Sequence, residues 1–423
     1  MAKSIQVLSV CTSDSTGGAA RAAYRIHLAV KSCGIDGRMF VKNKNTKDPD
    51  VISVGSLQPK NALYRLFDWV RNKVENKWQH LIWRRYPDRT SRFLSDLRST
   101  DIHGAIRKLE YDVLHLHWIN LRFLPLAELP KDRPIVWTLH DSWPFCGVCH
   151  LPMECKGFEA ECGSCPALRS DKLYDLSHRV WKKKAGIYGH LDLHIVAPSR
   201  WMAECARKSS LFGGLDIKVI PNCIDVKAFS PGSRDEACFR MGLDPGKTYL
   251  LFGAMNAIKD ENKGYRSLHA ALRVISQRHA KETELIVFGS KEPFEDQITG
   301  IKVIDKGVIN DSQGVVSLYR ACSVTIVPSL SENLSCTIME AMSCGSPVVA
   351  FDVGGNRDMI DHQVNGYLAK EQNSEDLARG ILWCLENNHE GQLALKARQK
   401  VLENYSYEII GEKYATLYRS LKK

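Results

Sequence analysis

SENLSCTIMEAMSCG, residues Ser331–Gly345, lies between two apolar runs, VTIVPS and SPVVAFDV, which have the length and composition of buried β-strands. The stretch itself begins and ends as a helix does. Asn333 and Ser335 are candidates for the N-cap, and Gly345 followed by Pro347 marks the end. A strand, a helix and a second strand in this order form the repeating unit of a parallel sheet. The sequence therefore predicts an α/β fold.

Two glutamates of this stretch, Glu332 and Glu340, raise a geometric question. If both were helical, they would lie about 80° apart around the axis and about 12 Å apart along it. Two carboxylates that act on one bond lie closer, about 5–9 Å apart. The pair therefore consists either of unrelated surface residues or of two contacts to opposite ends of one long ligand. Because the helix is expected to begin between them, Glu332 falls in the preceding loop and Glu340 inside the helix.

The same alternation of strand-like and helical patterns lies on both sides of an aperiodic segment, residues 222–236. A chain of 423 residues suggests two or three domains. We predict two doubly wound, Rossmann-like domains, 1–225 and 226–404, that face a central cleft. The segment 405–423 is predicted to be a helix that crosses back to the first domain. Such sheets bind ligands at the carboxyl ends of their strands, so the cleft is the expected site.

The composition, with 44% apolar and 25% charged residues, is that of a soluble globular protein. No apolar run approaches the roughly 20 residues that span a bilayer. The N-terminal residues resemble a first buried strand more than a signal peptide. We therefore expect a cytoplasmic location.

The net charge of +10 is concentrated in one aromatic segment, Lys60–Arg92, which holds nine Lys or Arg against three Asp or Glu. The interleaved aromatic residues are Tyr64, Phe67, Trp69, Trp78, Trp83 and Tyr86. Three interpretations remain open: a patch that contacts anionic lipid, a nucleic-acid surface, and a solvated pair of helices whose aromatic residues pack inward. We favour a peripheral membrane contact over nucleic acid.

Two features of the first half are typical of a ligand site. The loop Thr12–Gly18 follows the first strand and opens a helix, where Gly17 and Gly18 would allow an anion to approach the backbone N–H groups. A plain tight turn explains the loop equally well. His115, His117 and His140 end two further strands, where residues of a cleft must lie, although one of them could be purely structural.

Five cysteines form a cluster within residues 146–165, an insertion after the strand RPIVWTLH. They are Cys146, Cys149, Cys155, Cys162 and Cys165. Two C-x-x-C units separated by twelve residues have the spacing of a zinc ribbon. In a reducing compartment, metal binding is favoured over disulfides. Such a site would be structural, because four thiolates leave no open position. The alternative is a set of reduced thiols in a folded insertion.

The order of several motifs resembles that of family-4 retaining glycosyltransferases with the GT-B fold. These motifs are the GG loop, HLHW, TLHD, APSRW, VIPNCID, NKG, the E-x7-E helix and GSPVVAFDVGG. The resemblance covers nearly the whole chain. The cysteine insertion is similar to that of a bacterial subgroup that builds exopolysaccharide, capsule or lipopolysaccharide O-antigen, such as colanic-acid-type transferases. That subgroup's cysteines match Cys149, Cys155, Cys162 and Cys165, so Cys146 is an extra.

The resemblance implies a hexosyltransferase that moves a sugar from a nucleotide diphosphate sugar to a glycan or lipid-linked acceptor without a catalytic metal. It implies that Glu332 holds hydroxyls of the donor sugar and that Glu340 binds the ribose. Lys263, otherwise an ordinary surface lysine, would neutralise the leaving diphosphate. The helix N-terminus would cap that diphosphate with backbone N–H groups of Asn333, Leu334 and Ser335.

For the first domain, the same resemblance implies that Gly17 and Gly18 approach the diphosphate. It places His117 and His140 at the reacting centre.

Three positions depart from the family pattern. Ala254 stands where an arginine is frequent, Cys223 where glycine is usual, and Asp358 where glutamate is common. These departures bear on the roles of single residues more than on the family. The alternative function is that of another enzyme of the same fold, such as a sugar-nucleotide epimerase or a phosphorylase.

Overall fold

A computed structural model describes residues 4–57, 62–90, 106–253, 260–279, 283–290 and 300–422. The chain divides into two compact units. Domain 1 comprises Met1–Ile220 together with Gly411–Lys423, and domain 2 comprises Pro221–Ile410. The last helix begins in domain 2 and belongs to domain 1 from Gly411 onward. Ala254, one of the departures from the family pattern, lies outside the described residues.

Domain 1 is built on a parallel sheet of seven strands in the order β3-β2-β1-β4-β5-β6-β7. The strands are β1 (Gln6–Ser13), β2 (Asp36–Asn43), β3 (Val51–Ser53), β4 (Val113–Leu116), β5 (Ile135–Thr138), β6 (Leu193–Ala197) and β7 (Ile217–Val219). Its helices are α1 (Gly18–Ser32), α2 (Val54–Leu57), α3 (Ala62–Trp83), α4 (Leu176–Tyr188) and α5 (Arg200–Lys208). Strands β4 and β5 are buried along their whole length, as expected when helices cover both faces of a sheet.

Domain 2 repeats this plan with six parallel strands in the order β10-β9-β8-β11-β12-β13. The strands are β8 (Thr248–Gly253), β9 (Thr283–Phe288), β10 (Lys302–Asp305), β11 (Val324–Val327), β12 (Val348–Phe351) and β13 (Gly366–Ala369). The helices of domain 2 are α6 (Arg234–Met241), α7 (Tyr265–His279), α8 (Ser312–Ala321), α9 (Cys336–Ser343), α10 (Asn356–Met359), α11 (Ser374–Asn387) and α12 (Gln392–Asn404). The last helix, α13 (Tyr407–Leu421), begins here and continues into domain 1. None of the helices in the described ranges is both long and apolar enough to cross a membrane.

The predicted fold class, two doubly wound Rossmann-like sheets, is confirmed. In each sheet the strand order reverses between two central strands, β1 and β4 in domain 1 and β8 and β11 in domain 2. Loops that follow such a pair of strands diverge, and the space at their carboxyl ends is where doubly wound sheets bind ligands. Gly17, Gly18, His117 and Glu332 lie after strands of these central pairs, and His140 lies after the neighbouring strand β5.

Candidate active site

The three predicted histidines come together at the carboxyl end of the domain 1 sheet. His115 lies in β4, His117 follows that strand, and His140 follows β5. Parallel pairing aligns β4 with β5, so the residues that follow the two strands meet. The ring centroids of His115 and His117 are 4.0 Å apart, and His117 Nδ1 lies 3.0 Å from His140 Nε2.

His115 has a structural role. Its Nε2 lies 2.8 Å from Thr138 Oγ1, and its Nδ1 lies 2.7 Å from the hydroxyl of Tyr418. Thr138 Oγ1 in turn lies 2.9 Å from the hydroxyl of Tyr414. Both ring nitrogens of His115 are therefore bonded, and the ring is fully buried. By contrast, His117 Nε2 is buried with no hydrogen-bond partner among the described residues.

The histidine cluster is electrically neutral at neutral pH. Burial lowers the pKa of His115 to about 3 and that of His140 to about 4. The pKa of His117 falls well below its ordinary value, because of burial first and repulsion by His115 and His140 second. A neutral imidazole can donate or accept a hydrogen bond but offers no charge to a phosphate. The cluster is therefore suited to hydroxyl groups.

The glycine loop that follows β1 is held in place by Asp14, a residue to which the sequence assigned no role. Its buried carboxylate accepts hydrogen bonds from the backbone N–H groups of Asn45 (2.9 Å) and Thr46 (2.8 Å) and from the Thr46 hydroxyl (2.7 Å). Burial alone would raise the pKa of Asp14, but these hydrogen bonds outweigh it and lower the pKa. Asp14 therefore stays ionised and fixes the loop.

Gly17 and Gly18 leave space at the start of α1. Gly17 has a φ of 92°, a conformation that L side chains rarely adopt, and no side chain caps the helix. A Cβ atom at either glycine would meet nothing within 4 Å. The space beside these first N–H groups is suited to an anion.

In domain 2, the structure brings Lys263 and Glu332 together. Lys263 ends a short 3₁₀ turn before α7, and Glu332 lies in the loop after β11. The ammonium and carboxylate are 3.9 Å apart, and both side chains are partly exposed. Asn262 donates a hydrogen bond of 3.0 Å from its side chain to the carbonyl of Ser331 and joins the two loops.

Two glycines allow these loops to pack against each other. Gly264 has a φ of 68°, and a Cβ there would lie 1.8 Å from the carbonyl oxygen of Pro328. Gly354 has a φ of 54°, and its Cβ would lie 1.8 Å from the carbonyl oxygen of Glu332. The same carbonyl accepts a hydrogen bond of 3.1 Å from the N–H of Gly355. The backbone of Glu332 is thus fixed, while its side chain stays accessible.

Glu332 and Glu340 lie as the sequence predicts. Helix α9 begins after Ser335, whose hydroxyl caps it by accepting from the N–H of Ile338 (3.4 Å). Ser335 is therefore the N-cap, and Asn333 is not. Glu332 lies in the loop before the helix. Glu340 lies within it, is buried, and accepts a hydrogen bond of 3.0 Å from the hydroxyl of Tyr319. Leu334 is also buried.

The cysteine insertion forms a separate cluster in domain 1, in which Cys146, Cys149 and Cys165 are buried and Cys155 and Cys162 are partly buried, and all five cysteines line one small cavity. The backbone N–H of Gly147 points at Cys162 Sγ (3.3 Å), and that of Gly157 points at Cys155 Sγ (3.4 Å).

The sequence did not predict a role for Lys184. It is buried beside this loop, donates to the carbonyls of Cys146 and Gly147, and lies 3.7 Å from the centre of the Trp143 ring.

The zinc site stays a prediction. The thiol donors and the N–H groups that face sulfur fit a structural metal chemically. Within the part of the chain that the structure describes, however, no group of three or more His, Cys, Asp or Glu side chains is arranged to hold a metal ion.

Comparison with known proteins identifies two sequence families. The family described as "Glycosyltransferase Family 4" matches residues 16–228, and that described as "Glycosyl transferases group 1" matches residues 246–387. A putative colanic acid biosynthesis glycosyl transferase, WcaC of Escherichia coli, is 24% identical over 74% of this chain and 76% of its own length. A D-inositol 3-phosphate glycosyltransferase of Nocardiopsis dassonvillei is 34% identical, but the match covers only 38% of this chain and 40% of that enzyme.

Among solved structures, Anabaena Alr3699/HepE in complex with UDP and glucose superposes with a TM-score of 0.63. The match is 18% identical and covers 99% of this chain and all of the other. At this identity the likeness shows the fold alone, which is the predicted GT-B fold.

Proposed function

The chain belongs to Glycosyltransferase Family 4, and from this premise we propose that it transfers a sugar, with retention, from a nucleotide diphosphate sugar to a growing lipid-linked bacterial surface polysaccharide. The observation that carries this proposal is the Lys263–Glu332 pair beside the N-terminus of α9. A cation and a helix N-terminus at one position are suited to a departing diphosphate, while the carboxylate accepts sugar hydroxyls.

We assign the donor to these groups in a linear order. The sugar hydroxyls bind Glu332, and the diphosphate lies against Lys263 and the N–H groups around Asn333, Leu334 and Ser335. The ribose reaches Glu340, whose carboxylate is oriented by Tyr319. The wide spacing of Glu332 and Glu340 then matches the separation of the sugar and the ribose in the donor. UDP and glucose in the HepE complex support a donor of this class.

In domain 1 we assign Gly17 and Gly18 to the diphosphate, because a Cβ atom at either position would meet nothing within 4 Å, which leaves room for a ligand close to the backbone. His117 and His140 are assigned to the reacting centre, where neutral imidazoles hydrogen-bond to hydroxyl groups. His115 is not part of this set, because its partners occupy both ring nitrogens.

The proposed step breaks the bond between the anomeric carbon and the phosphate oxygen. The acceptor hydroxyl forms the new bond on the same face, and its proton goes to the departing diphosphate. This substrate-assisted route needs no second carboxylate as nucleophile. Most of the barrier is lowered by positioning the two substrates and by stabilising the charge that develops on the diphosphate.

Two substitutions test the transferase function. Lys263→Ala and Glu332→Gln should each lower transfer from a UDP-, GDP- or ADP-sugar by about 10²–10³-fold, because each removes a charge contact made in the transition state. The matched control is Lys302→Ala or Glu284→Gln, which breaks another ion pair of domain 2, 3.5 Å long, and should leave the rate unchanged. Near-normal rates in both site variants would refute the proposal.

The product distinguishes this activity from others of the same fold. A labelled sugar linked to an acceptor, with the α or β configuration of the donor kept, supports a retaining transferase. Free epimerised sugar nucleotide or sugar phosphate would instead indicate an epimerase or a phosphorylase. The colanic acid relative supports a polysaccharide acceptor. We place the enzyme in the cytoplasm, at the inner face of the membrane, where lipid-linked acceptors are exposed.

A structural zinc ion in the cysteine insertion is a separate part of the proposal, with Cys149, Cys155, Cys162 and Cys165 as ligands. Metal analysis of the purified protein should find about one zinc per chain. Cys155→Ser should release it and lower the melting temperature, whereas Cys322→Ser, which changes a buried cysteine of domain 2, should retain it. A protein that holds well below one zinc per chain would refute this part.

A further inference from the structure

Helix α3 exposes an apolar face. Its exposed large apolar residues recur at intervals of three or four, which places them on one side of the helix. Each is between 46% and 59% exposed. They are Leu66, Trp69, Val70, Val74, Trp78 and Leu81. We call this side the outward face of α3.

The opposite side of α3 is fixed to domain 1. Glu75 forms an ion pair with Arg122, and Ile82 and Trp83 pack against the domain 1 core. The guanidinium of Arg89 lies 5.0 Å from the centre of the Trp83 ring. The interpretation that the aromatic residues pack inward therefore holds for Trp83 but is wrong for the two tryptophans of the outward face. The exposed apolar side chains are held in place by this anchoring.

Cations accompany the outward face. Lys73, Lys77, Arg84 and Arg85 are exposed, and Lys73 Nζ lies 4.0 Å from the centre of the Trp69 ring. Among the side chains of α3 that the structure describes, the sole carboxylate is the inward Glu75. A helix with apolar and aromatic residues flanked by Lys and Arg is suited to the boundary between headgroups and acyl chains of an anionic bilayer.

We propose that the outward face of α3 docks on the surface of an anionic bilayer, with the helix axis in the plane of the membrane and its tryptophans at headgroup depth. The inference rests on the proposed function for its purpose, since it brings the enzyme to a lipid-linked acceptor. A second copy of the chain fits the face less well, because pairing would bring two sets of cations together. Nucleic acid does not require the apolar residues that separate these cations.

Vesicle co-sedimentation of the full chain tests this inference. The protein should sediment with vesicles of phosphatidylcholine and phosphatidylglycerol but much less with phosphatidylcholine alone. Lys73→Gln with Lys77→Gln should weaken the partition about 25-fold, since each neutralised charge near the surface contributes about fivefold. Trp69→Ser with Trp78→Ser should weaken it at least about tenfold. The control is Phe239→Ser with Leu395→Ser, which removes two exposed apolar residues of domain 2 and should change nothing.

Several outcomes would overturn the inference. These are equal binding to neutral and anionic vesicles, equal losses in the control, and a dimer in solution that the tryptophan variant converts to a monomer. Donor hydrolysis in the absence of vesicles keeps the two proposals apart, because the α3 variants should hydrolyse the nucleotide sugar at the normal rate. If vesicle binding fails while Lys263→Ala still abolishes transfer, the membrane inference falls and the transferase stands.

Discussion

The two domains share a doubly wound sheet topology, but their candidate sites consist of different kinds of side chain. In domain 1, His115 in β4 and His117 after it are buried imidazoles; His115 bonds to Tyr418 of α13, and His117 bonds to the partly buried His140 after β5. In domain 2, the residues after β11 and before α7 are partly exposed ions. Their positions are set by backbone contacts at Gly264 and Gly354.

This difference separates two ways of preorganising a site. The domain 1 cluster is held by hydrogen bonds between its side chains, although His117 Nε2 has no partner among the described residues, and it is neutral because burial disfavours the imidazolium. The domain 2 loops fix only the backbone, so the charges of Lys263 and Glu332 stay available to a ligand. The first arrangement is suited to orienting a sugar, and the second to balancing the charge of a diphosphate.

The strongest test of the comparison is Gly354→Ala. The new methyl group would collide with the carbonyl oxygen of Glu332, and Ala disfavours a φ of 54°. We expect a loss of about 3 kcal/mol or more in the free energy of unfolding, measured by denaturant titration. A loop displaced by about 1 Å should also cost about 10²-fold in transfer rate.

The matched control for this test is Gly391→Ala, also in domain 2. Gly391 has a φ of 72°, but a Cβ there would meet nothing within 4 Å. Gly391→Ala should lower the free energy of unfolding by about 1 kcal/mol, because only the backbone conformation disfavours Ala there. The transfer rate should stay normal. Equal effects in both variants would show that backbone packing does not position Glu332.

Acid should destabilise domain 1 first. Burial lowers the pKa of His27 and His140 to about 4 and that of His115 to about 3, against about 6.5 in the unfolded chain. Between these values the unfolded state binds more protons, so stability is complete above about pH 6.5 and falls as the pH drops toward 4. Each histidine contributes up to about 1.4 kcal/mol per pH unit. Hydrogen exchange at pH 7 and pH 5 should show faster opening of domain 1 than of domain 2.

The substitution His27→Leu tests how much His27 contributes to this acid sensitivity. Both ring nitrogens of His27 are buried without a hydrogen-bond partner among the described residues, so the substitution removes a titrating group without breaking a bond. In this variant the free energy of unfolding should fall less steeply as the pH drops, and the difference in slope should correspond to about one bound proton. If the slope is unchanged, other groups cause the acid sensitivity.

The smallest expected effect is that of Tyr418→Phe. It leaves Nδ1 of the buried His115 without its partner, which costs about 1–3 kcal/mol in the free energy of unfolding. Because His115 packs against His117, we expect the maximal rate to fall while the KM for the donor stays constant. Tyr174→Phe, at an exposed position, is the control and should change stability by less than about 0.5 kcal/mol. A raised donor KM in Tyr418→Phe would contradict the proposed role of the histidine cluster at the reacting centre.

Sequence reasoning identified the central strands because buried parallel strands are continuous apolar runs. It missed β3 and β10, which are short strands at sheet edges, and β2 and β13, which are interrupted or shortened by polar residues and glycine. Lys263 and Glu332 were assigned roles because the motifs that contain them, NKG and the E-x7-E helix, resemble those of the family.

Tyr414 and Tyr418 were not found, because no local pattern links them to partners 276 and 303 residues away. The sequence also left open whether Trp69 and Trp78 are exposed or pack inward. Helical periodicity shows that residues share a face, but not whether another element covers that face.

The bond between Tyr418 and His115 also sets an order of events during protein synthesis. His115 leaves the ribosome 303 residues before Tyr418, which at ordinary elongation rates is roughly 15–60 s. During that interval the strands of domain 1 can pair while the histidine cluster lacks its tyrosines. The histidine cluster is therefore completed only after domain 2 has been made, so a ribosome-bound chain can fold its first sheet before His115 has its tyrosine partner.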